Sequence, residues 1–201
     1  MNNLRRRVAR EAAFLLYMGL AHEYKQAKEM AAENLGVRIF PSNFEVAIEL
    51  DRLAEELEGE ERIKRLIRMR FEALEIMRFL RDFHPKLIGS VWRGTVCRES
   101  DIDIIVYSDT PKKVVEKLID AGLKILGVDW RSTTKNGEVK RSLHIRLSLE
   151  SGDEVEVVVK SLSEMNEVEI CDIYGDEITG LNIKELERVL SENPTKKFIP
   201  S

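Results

Sequence analysis

The spacing of apolar residues changes at Pro85, and this change constrains the fold more than any other feature of the chain. Before Pro85, apolar residues recur every three or four positions, which is typical of amphipathic helices. After it, they alternate with polar residues or form short apolar runs, which is typical of strands. A helical front part followed mainly by strands predicts an α+β protein.

Three helical stretches are predicted before Pro85. The first runs from residue 4 to about 34 and is expected to break near Gly19, because glycine disfavours a helix interior. The second begins at Ser42, which has capping-box spacing to Glu45. The third covers about residues 61–83 and ends before the proline.

The remainder of the chain predicts strands with two helices among them. Strands are expected at 86–91, 101–107, 125–131, 142–149, 154–159 and 168–174, and helices at 111–121 and 183–190. Asn136-Gly137 is a strong signal for a turn between two antiparallel strands. Trp92 and Trp130 are expected to be packing residues.

Composition narrows the class of protein but not its activity. No apolar run approaches the roughly 20 residues of a membrane helix, so no membrane partner is expected. The basic N-terminus reads as an amphipathic helix rather than a signal peptide. The net charge of −4 gives no global reason to expect a nucleic acid partner. Cys97 and Cys171 lie far apart in the sequence, which favours a reduced, cytoplasmic protein.

Two aspartates in one apolar strand carry the clearest chemical signal. Side chains alternate along a strand, so Asp101 and Asp103 point to the same face, with their Cα atoms roughly 7 Å apart. Their charges repel each other and raise a pKa unless a positive group lies between them. A divalent cation meets this need, and carboxylate oxygens with water suit Mg²⁺, which also binds substrate phosphates.

Gly89 and Ser90 precede these aspartates, with ten residues between Ser90 and Asp101. A glycine lets backbone amides approach a phosphate closely, and a serine hydroxyl adds a donor. A short helix starting in residues 92–98 would place its positive end near a phosphate chain. Arg93 or Arg98 would screen the phosphate charge.

This stretch resembles the signature of the DNA polymerase beta-like nucleotidyltransferase superfamily. That signature has Gly-Ser, a spacer and Asp-Ile-Asp in an apolar strand, and residues 89–106 are similar to the minimal nucleotidyltransferases of archaea and bacteria. The resemblance covers about residues 86–160. It implies a polymerase-beta-like mixed sheet. It does not reach the helical front part, so the chain is expected to have a helical domain at 1–85 and a nucleotidyltransferase domain at 86–201.

The resemblance also implies roles for individual residues. Asp101 and Asp103 would be the metal-binding carboxylates, while Gly89, Ser90 and Arg93 would bind the triphosphate. The superfamily takes a third carboxylate from a neighbouring strand, where Glu156 is the best match and Glu154 the alternative. Archaeal CCA-adding enzymes, which this neighbourhood also resembles, usually have an aspartate at that position. Asp101, Asp103 and Glu156 are therefore the expected catalytic and metal-binding residues.

The implied activity is transfer of a nucleoside monophosphate from a nucleoside triphosphate to a hydroxyl acceptor, with Mg²⁺ or Mn²⁺ and release of pyrophosphate. A protein, an RNA end or a small molecule remains possible as the acceptor, and the base preference and oligomeric state have no local signature. One alternative is a non-catalytic nucleotide-binding or regulatory module, such as the antitoxin partner of a toxin pair. Another is an RNA-end transferase that binds RNA through Lys64, Arg65 and Arg68.

Overall fold

A computed structural model describes residues 3–135 and 138–200. The described residues form seven α-helices: α1 (Asn3–Tyr17), α2 (Tyr24–Asn34), α3 (Asn43–Glu58), α4 (Glu60–Phe79), α5 (Gly89–Arg93), α6 (Pro111–Asp120) and α7 (Ile183–Glu192). They also form five strands: β1 (Lys86–Ile88), β2 (Ile102–Tyr107), β3 (Lys124–Lys135), β4 (Glu138–Ser148) and β5 (Glu154–Lys160). Asn136-Gly137, the predicted turn, lies outside the described residues.

Local sequence signals explain where several helices begin and end. The predicted break near Gly19 is confirmed, since α1 ends before that residue and α2 begins after it. The capping box at α3 is also confirmed, because Ser42 and Glu45 each bond the other's backbone N–H. Asn182 and Glu185 repeat this arrangement at the start of α7. These reciprocal bonds satisfy N–H groups that a helix start otherwise leaves unpaired.

The five strands form one mixed sheet in the order β1-β2-β5-β4-β3. β2 and β5 are parallel neighbours, whereas the other three pairs are antiparallel. Five of the six residues of β2 are buried, as its apolar sequence predicts. The helices and the mixed sheet confirm the predicted α+β class.

The protein has a large core beneath the sheet and a smaller one among the first helices. α1, α2 and α3 enclose the smaller core around residues such as Val8, Ala31 and Val46. α4 instead contributes Met69 and Met77 to the core of the sheet. The division into domains at residue 85 stays a prediction, and α4 packs with the elements that follow it. No helix in the described ranges is long and apolar enough to cross a membrane.

Three local predictions were wrong. The strand predicted at 168–174 is absent from the named strands, and an isolated bridge between Ile170 and Glu177 is found there. The strand predicted at 86–91 ends at Ile88, because Gly89 turns the chain with a φ of +71° and starts α5. The short helix that was expected to start within residues 92–98 therefore starts at Gly89. Trp130 was expected to pack inside but is 56% exposed on the edge strand β3.

Candidate active site

The turn from β1 into α5 brings Gly89 against Asp103. Ile88 lies opposite Asp103 in the antiparallel register of β1 and β2, so the next residue lies beside the Asp103 side chain. A Cβ built on residue 89 would lie 2.0 Å from Oδ2 of Asp103. The positive φ and this contact both require glycine at residue 89. The predicted phosphate-binding turn and the predicted metal-binding strand are therefore in direct contact.

Glu156 occupies the equivalent position on the next strand. In the parallel register of β2 and β5, Asp103 lies opposite Glu156, so both side chains share one face of the sheet. Glu156 is half-buried, whereas Glu154 is exposed and lies opposite Ser148 on β4. We call Asp101, Asp103 and Glu156 the acidic cluster.

Two carboxyl groups of the acidic cluster have raised pKa values. Burial raises the pKa of Asp103 to about 8, and the charges of Asp101 and Glu156 act in the same direction. Burial also raises the pKa of Asp101, and Glu156 and Glu154 add to that increase. The charge of Glu156 thus acts on both aspartates, and that of Asp101 acts on Asp103, because these side chains lie near one another.

Two basic side chains approach the acidic cluster from its outer side. Glu156 is close to Arg131 of β3 and His144 of β4, which approach the same carboxylate oxygen. Within the described part of the chain, no three His, Cys, Asp or Glu side chains are placed to hold a metal ion by themselves. Mg²⁺ commonly binds one or two carboxylates and takes its remaining ligands from water and substrate phosphates. The donor set therefore suits that ion when phosphates are present.

Arg93, which was predicted to contact phosphate, is buried and has partners within the chain. Its guanidinium donates to Asp176 at 2.6 and 3.1 Å and to the carbonyl oxygen of Phe198 at 3.0 Å. It also stacks on the ring of Tyr174, 4.2 Å from the centroid. Arg93 thus joins α5 to the segment 171–178 and to the C-terminal residues.

A cavity of about 250 Å³ lies beside the Gly89-Ser90 turn. Its walls are mostly apolar and come from α2, α3, α5 and the segment 171–178. Tyr24 and Ala47 line the side of the first helices, and Tyr174 lines the opposite segment. We call it the Tyr174 cavity. It is large enough for the nucleoside part of a nucleotide and lies next to the predicted phosphate site.

The loop between α5 and Asp101 is held by the helical front part. Arg62 donates to the carbonyl oxygen of Val96 at 2.7 Å, and Glu58 accepts the backbone N–H of Arg98 at 3.0 Å. Arg62 also pairs with the buried carboxylate of Asp51. Side chains of α3 and α4 therefore fix the chain that leads into the acidic cluster.

Arg70 of α4 holds α5 in place by hydrogen bonds to its backbone carbonyl oxygens. Its side chain is fully buried and donates to the carbonyl oxygens of Val91 and Trp92 at 3.1 and 2.9 Å. It also donates to those of Pro194 and Lys196 at 2.7 and 2.9 Å. Burial lowers the pKa of Arg70 to about 10, so the guanidinium stays charged at neutral pH. These bonds satisfy carbonyls at the end of α5 and hold the C-terminal residues against it.

The model of one protein family matches residues 72–173, slightly more than half of the chain, and that family is described as a nucleotidyltransferase domain. The chain belongs to this family. The nucleotidyltransferase match begins within α4 and includes β1 to β5, so every residue of the acidic cluster lies inside it. The resemblance recognised from the Gly-Ser and Asp-Ile-Asp motifs is confirmed.

Solved structures similar to this chain include a cytoplasmic RNA terminal U-transferase, with 16% identity and a TM-score of 0.34 over 58% of this chain and 34% of that one. A structure of the Cid1 poly(U) polymerase gives 15% identity and a TM-score of 0.34 over 54% and 35%. Another, described for its RNA terminal uridylyl transferase activity, gives 16% and 0.37 over 58% and 36%. The chain thus spans about a third of the length of these structures. No curated protein matched the sequence.

Several residues around the site were not found by sequence reasoning. Arg131, Arg70 and Asp176 carry no local motif, because their partners lie far away in the sequence. The basic residues considered for RNA binding pair with acids: Lys64 with Glu61, Arg65 with Glu58 and Arg68 with Asp153. Much of their charge is therefore balanced within the chain.

Proposed function

We propose that this protein transfers a nucleoside monophosphate from a nucleoside triphosphate to a hydroxyl acceptor and releases pyrophosphate, in a reaction that depends on Mg²⁺ or Mn²⁺. One observation carries the proposal. In a chain of the nucleotidyltransferase family, Asp103 lies in register with Glu156 and in contact with Gly89. The groups proposed to bind phosphate and those proposed to bind the cation therefore lie side by side.

The acidic cluster fits a divalent cation. Asp103 is half-buried beside two further carboxylates, and its removal from water together with their charges raises its pKa to about 8. Asp101 and Asp103 would hold the cation, with Glu156 as the third ligand. A bound divalent cation would supply positive charge to the phosphate oxygens in the transition state and would activate the acceptor hydroxyl.

The side chains of this protein then have separate tasks. Ser90 donates its hydroxyl to a phosphate oxygen, and the missing side chain of Gly89 leaves room for the triphosphate beside Asp103. Glu156 accepts the proton of the acceptor hydroxyl as that oxygen forms its bond to the α-phosphorus. The bond from the α-phosphorus to the β-phosphate oxygen breaks, and pyrophosphate leaves. Glu156 is favoured over Glu154 by its register with Asp103 and its lower exposure.

We propose that the nucleoside occupies the Tyr174 cavity. Its mostly apolar walls and two tyrosines suit stacking on a base. Arg93 would contribute to nucleotide binding by holding Tyr174 in place rather than by reaching the phosphates, because Asp176 already occupies its guanidinium. In this arrangement, α2 and α3 form one wall of the substrate site, which gives the helical domain proposed for residues 1–85 a role in binding.

Transfer of label from triphosphates tests the proposal. The full chain is incubated with Mg²⁺, each triphosphate labelled on the α- or the γ-phosphate, and acceptors of three kinds: RNA with a free 3′ end, cell protein and small hydroxyl compounds. Nucleotidyl transfer moves the α-label and not the γ-label to an acceptor. The variant Asp101→Ala/Asp103→Ala should lose transfer while keeping its circular dichroism spectrum. Unchanged transfer in that variant would refute the proposed site, and triphosphate binding without transfer would indicate a non-catalytic nucleotide-binding module.

A further inference from the structure

The carboxylate of Glu156 is approached by two side chains from the side away from Asp103. Nη2 of Arg131 lies 3.0 Å from Oε1 of Glu156, and Nδ1 of His144 lies 3.1 Å from the same oxygen. The contact of the buried Nδ1 lacks the geometry of a hydrogen bond, so it is electrostatic. Two contacts on one oxygen restrict the rotation of the carboxylate.

Arg146, the basic residue directly opposite Glu156 on the neighbouring strand, does not pair with that carboxylate. Arg146 lies opposite Glu156 on β4, yet its guanidinium lies over Gly127, where a Cβ would be 2.9 Å from Nη2. Arg131 instead reaches Glu156 from the edge strand β3. The ion pair thus spans β4, and residue 146 forms none with Glu156 among the pairs found in the described ranges.

The other ring nitrogen of His144, Nε2, has a hydrogen-bond partner. Nε2 lies 3.0 Å from Oγ of Ser142, and Ser142 lies opposite Arg131 in the register of β3 and β4. The side chains of His144 and Glu156 are only 13% and 20% exposed, so water competes weakly for the contact between them. Ser142, His144 and Arg131 therefore form a connected support for Glu156 on the outer half of the sheet.

We propose that Arg131 and His144 are positioning residues that fix Glu156 for nucleotidyl transfer, an inference that rests on the proposed function. A carboxylate that accepts a proton or binds a cation acts efficiently only when its orientation is fixed beforehand. Groups that orient a cation-binding side chain typically change affinity or activity by about 10- to 100-fold. Arg131 and His144 act through Glu156 and need not touch the substrate.

The test compares variants of the full chain. Arg131→Ala and His144→Ala should each lower kcat for label transfer by about 10-fold or more, with little change in KM for the triphosphate. His144→Asn, which keeps a nitrogen near the position of Nδ1, should recover part of the loss. Arg141→Ala is the matched control. Arg141 lies on the opposite face of the same strand pair, over the ring of Trp130, and its loss should leave kcat unchanged.

A double-mutant cycle separates positioning from general damage. In a Glu156→Gln background, removal of Arg131 or His144 should have no further effect on kcat or on Mn²⁺ affinity. The Mn²⁺ affinity is measured by electron paramagnetic resonance in the presence of a non-hydrolysable triphosphate. Equal losses with and without Glu156, or wild-type kcat in both single variants, would overturn the inference. Asp103→Asn is measured in parallel, because wild-type transfer in that variant would refute the proposed function itself.

Discussion

The α-carbon of Gly89 and the carboxylate of Asp103 are in contact, and a Cβ on residue 89 would lie 2.9 Å from Cγ of Asp103. Gly89→Ala should therefore displace the Asp103 side chain, because the added methyl group occupies its position. We expect the rate of nucleotidyl transfer to fall by about 100-fold, since a displacement of about 1 Å at a reacting group has this effect. Steady-state label transfer measures it.

Gly36→Ala is the control for this substitution. Gly36 also has a positive φ, +64°, but nothing lies within 4 Å of the added Cβ. It should lower the free energy of unfolding by about 1–2 kcal/mol, the usual cost of a left-handed non-glycine residue, without changing the transfer rate. A wild-type rate in Gly89→Ala would contradict the contact.

The raised pKa of Asp103 predicts how stability depends on pH without a divalent cation. Below about pH 4 this carboxyl is protonated in both the folded and the unfolded state. Between there and its folded pKa of about 8, the folded protein holds a proton that the unfolded chain has released, so stability falls as pH rises. Denaturant unfolding at several pH values measures the slope. Asp103→Asn should flatten it over this window, and an unchanged slope in the variant would argue against a protonated Asp103 in the folded protein.

Arg70 should be a major contributor to stability. Arg70→Met leaves buried carbonyl oxygens of α5 and the C-terminal residues without their donor, at about 1–3 kcal/mol each when unsatisfied. We expect a loss of at least about 3 kcal/mol in the free energy of unfolding. Arg68→Met on the same helix removes an exposed pair with Asp153 and should cost less than about 1 kcal/mol. Equal effects in urea unfolding would contradict the role given to Arg70.

Much of the site could be predicted from the sequence because its signals are local. The contact of Gly89 with Asp103 follows from one short turn and one strand, both of which have recognisable residues at fixed spacing. The apolar run of β2 predicted the strand that holds Asp103, although that strand begins one residue after Asp101. The alternating pattern of β5 predicted the face of Glu156. Family resemblance then suggested how these pieces meet.

The remaining contacts could not be predicted because they join distant parts of the chain. Arg93 pairs with Asp176, which lies in an irregular segment. The apolar residues of that segment have a pattern typical of a strand. Arg131 contacts Glu156 because β3 lies next to β4 in the sheet and β4 lies next to β5. Periodicity gives the face of a residue but not which distant side chain it contacts.

The Tyr174 cavity predicts a separable effect on substrate binding. Ala47→Leu adds three carbon atoms to a buried wall of the cavity, so the KM for the triphosphate should rise by about tenfold or more while kcat at saturation stays near the wild-type value. Ala47→Gly, the control at the same position, should lower stability by about 1 kcal/mol through the helix without raising KM. An unchanged KM in a folded Ala47→Leu protein would place the nucleoside elsewhere.

The most direct test of the central claim is a crystal structure with Mn²⁺ and a non-hydrolysable triphosphate, using the anomalous signal of manganese. We expect an anomalous peak in contact with the carboxylates of Asp101 and Asp103, with the β- and γ-phosphates beside Gly89 and Ser90. Manganese bound away from these aspartates, or a triphosphate tail remote from the Gly89-Ser90 turn, would contradict the account.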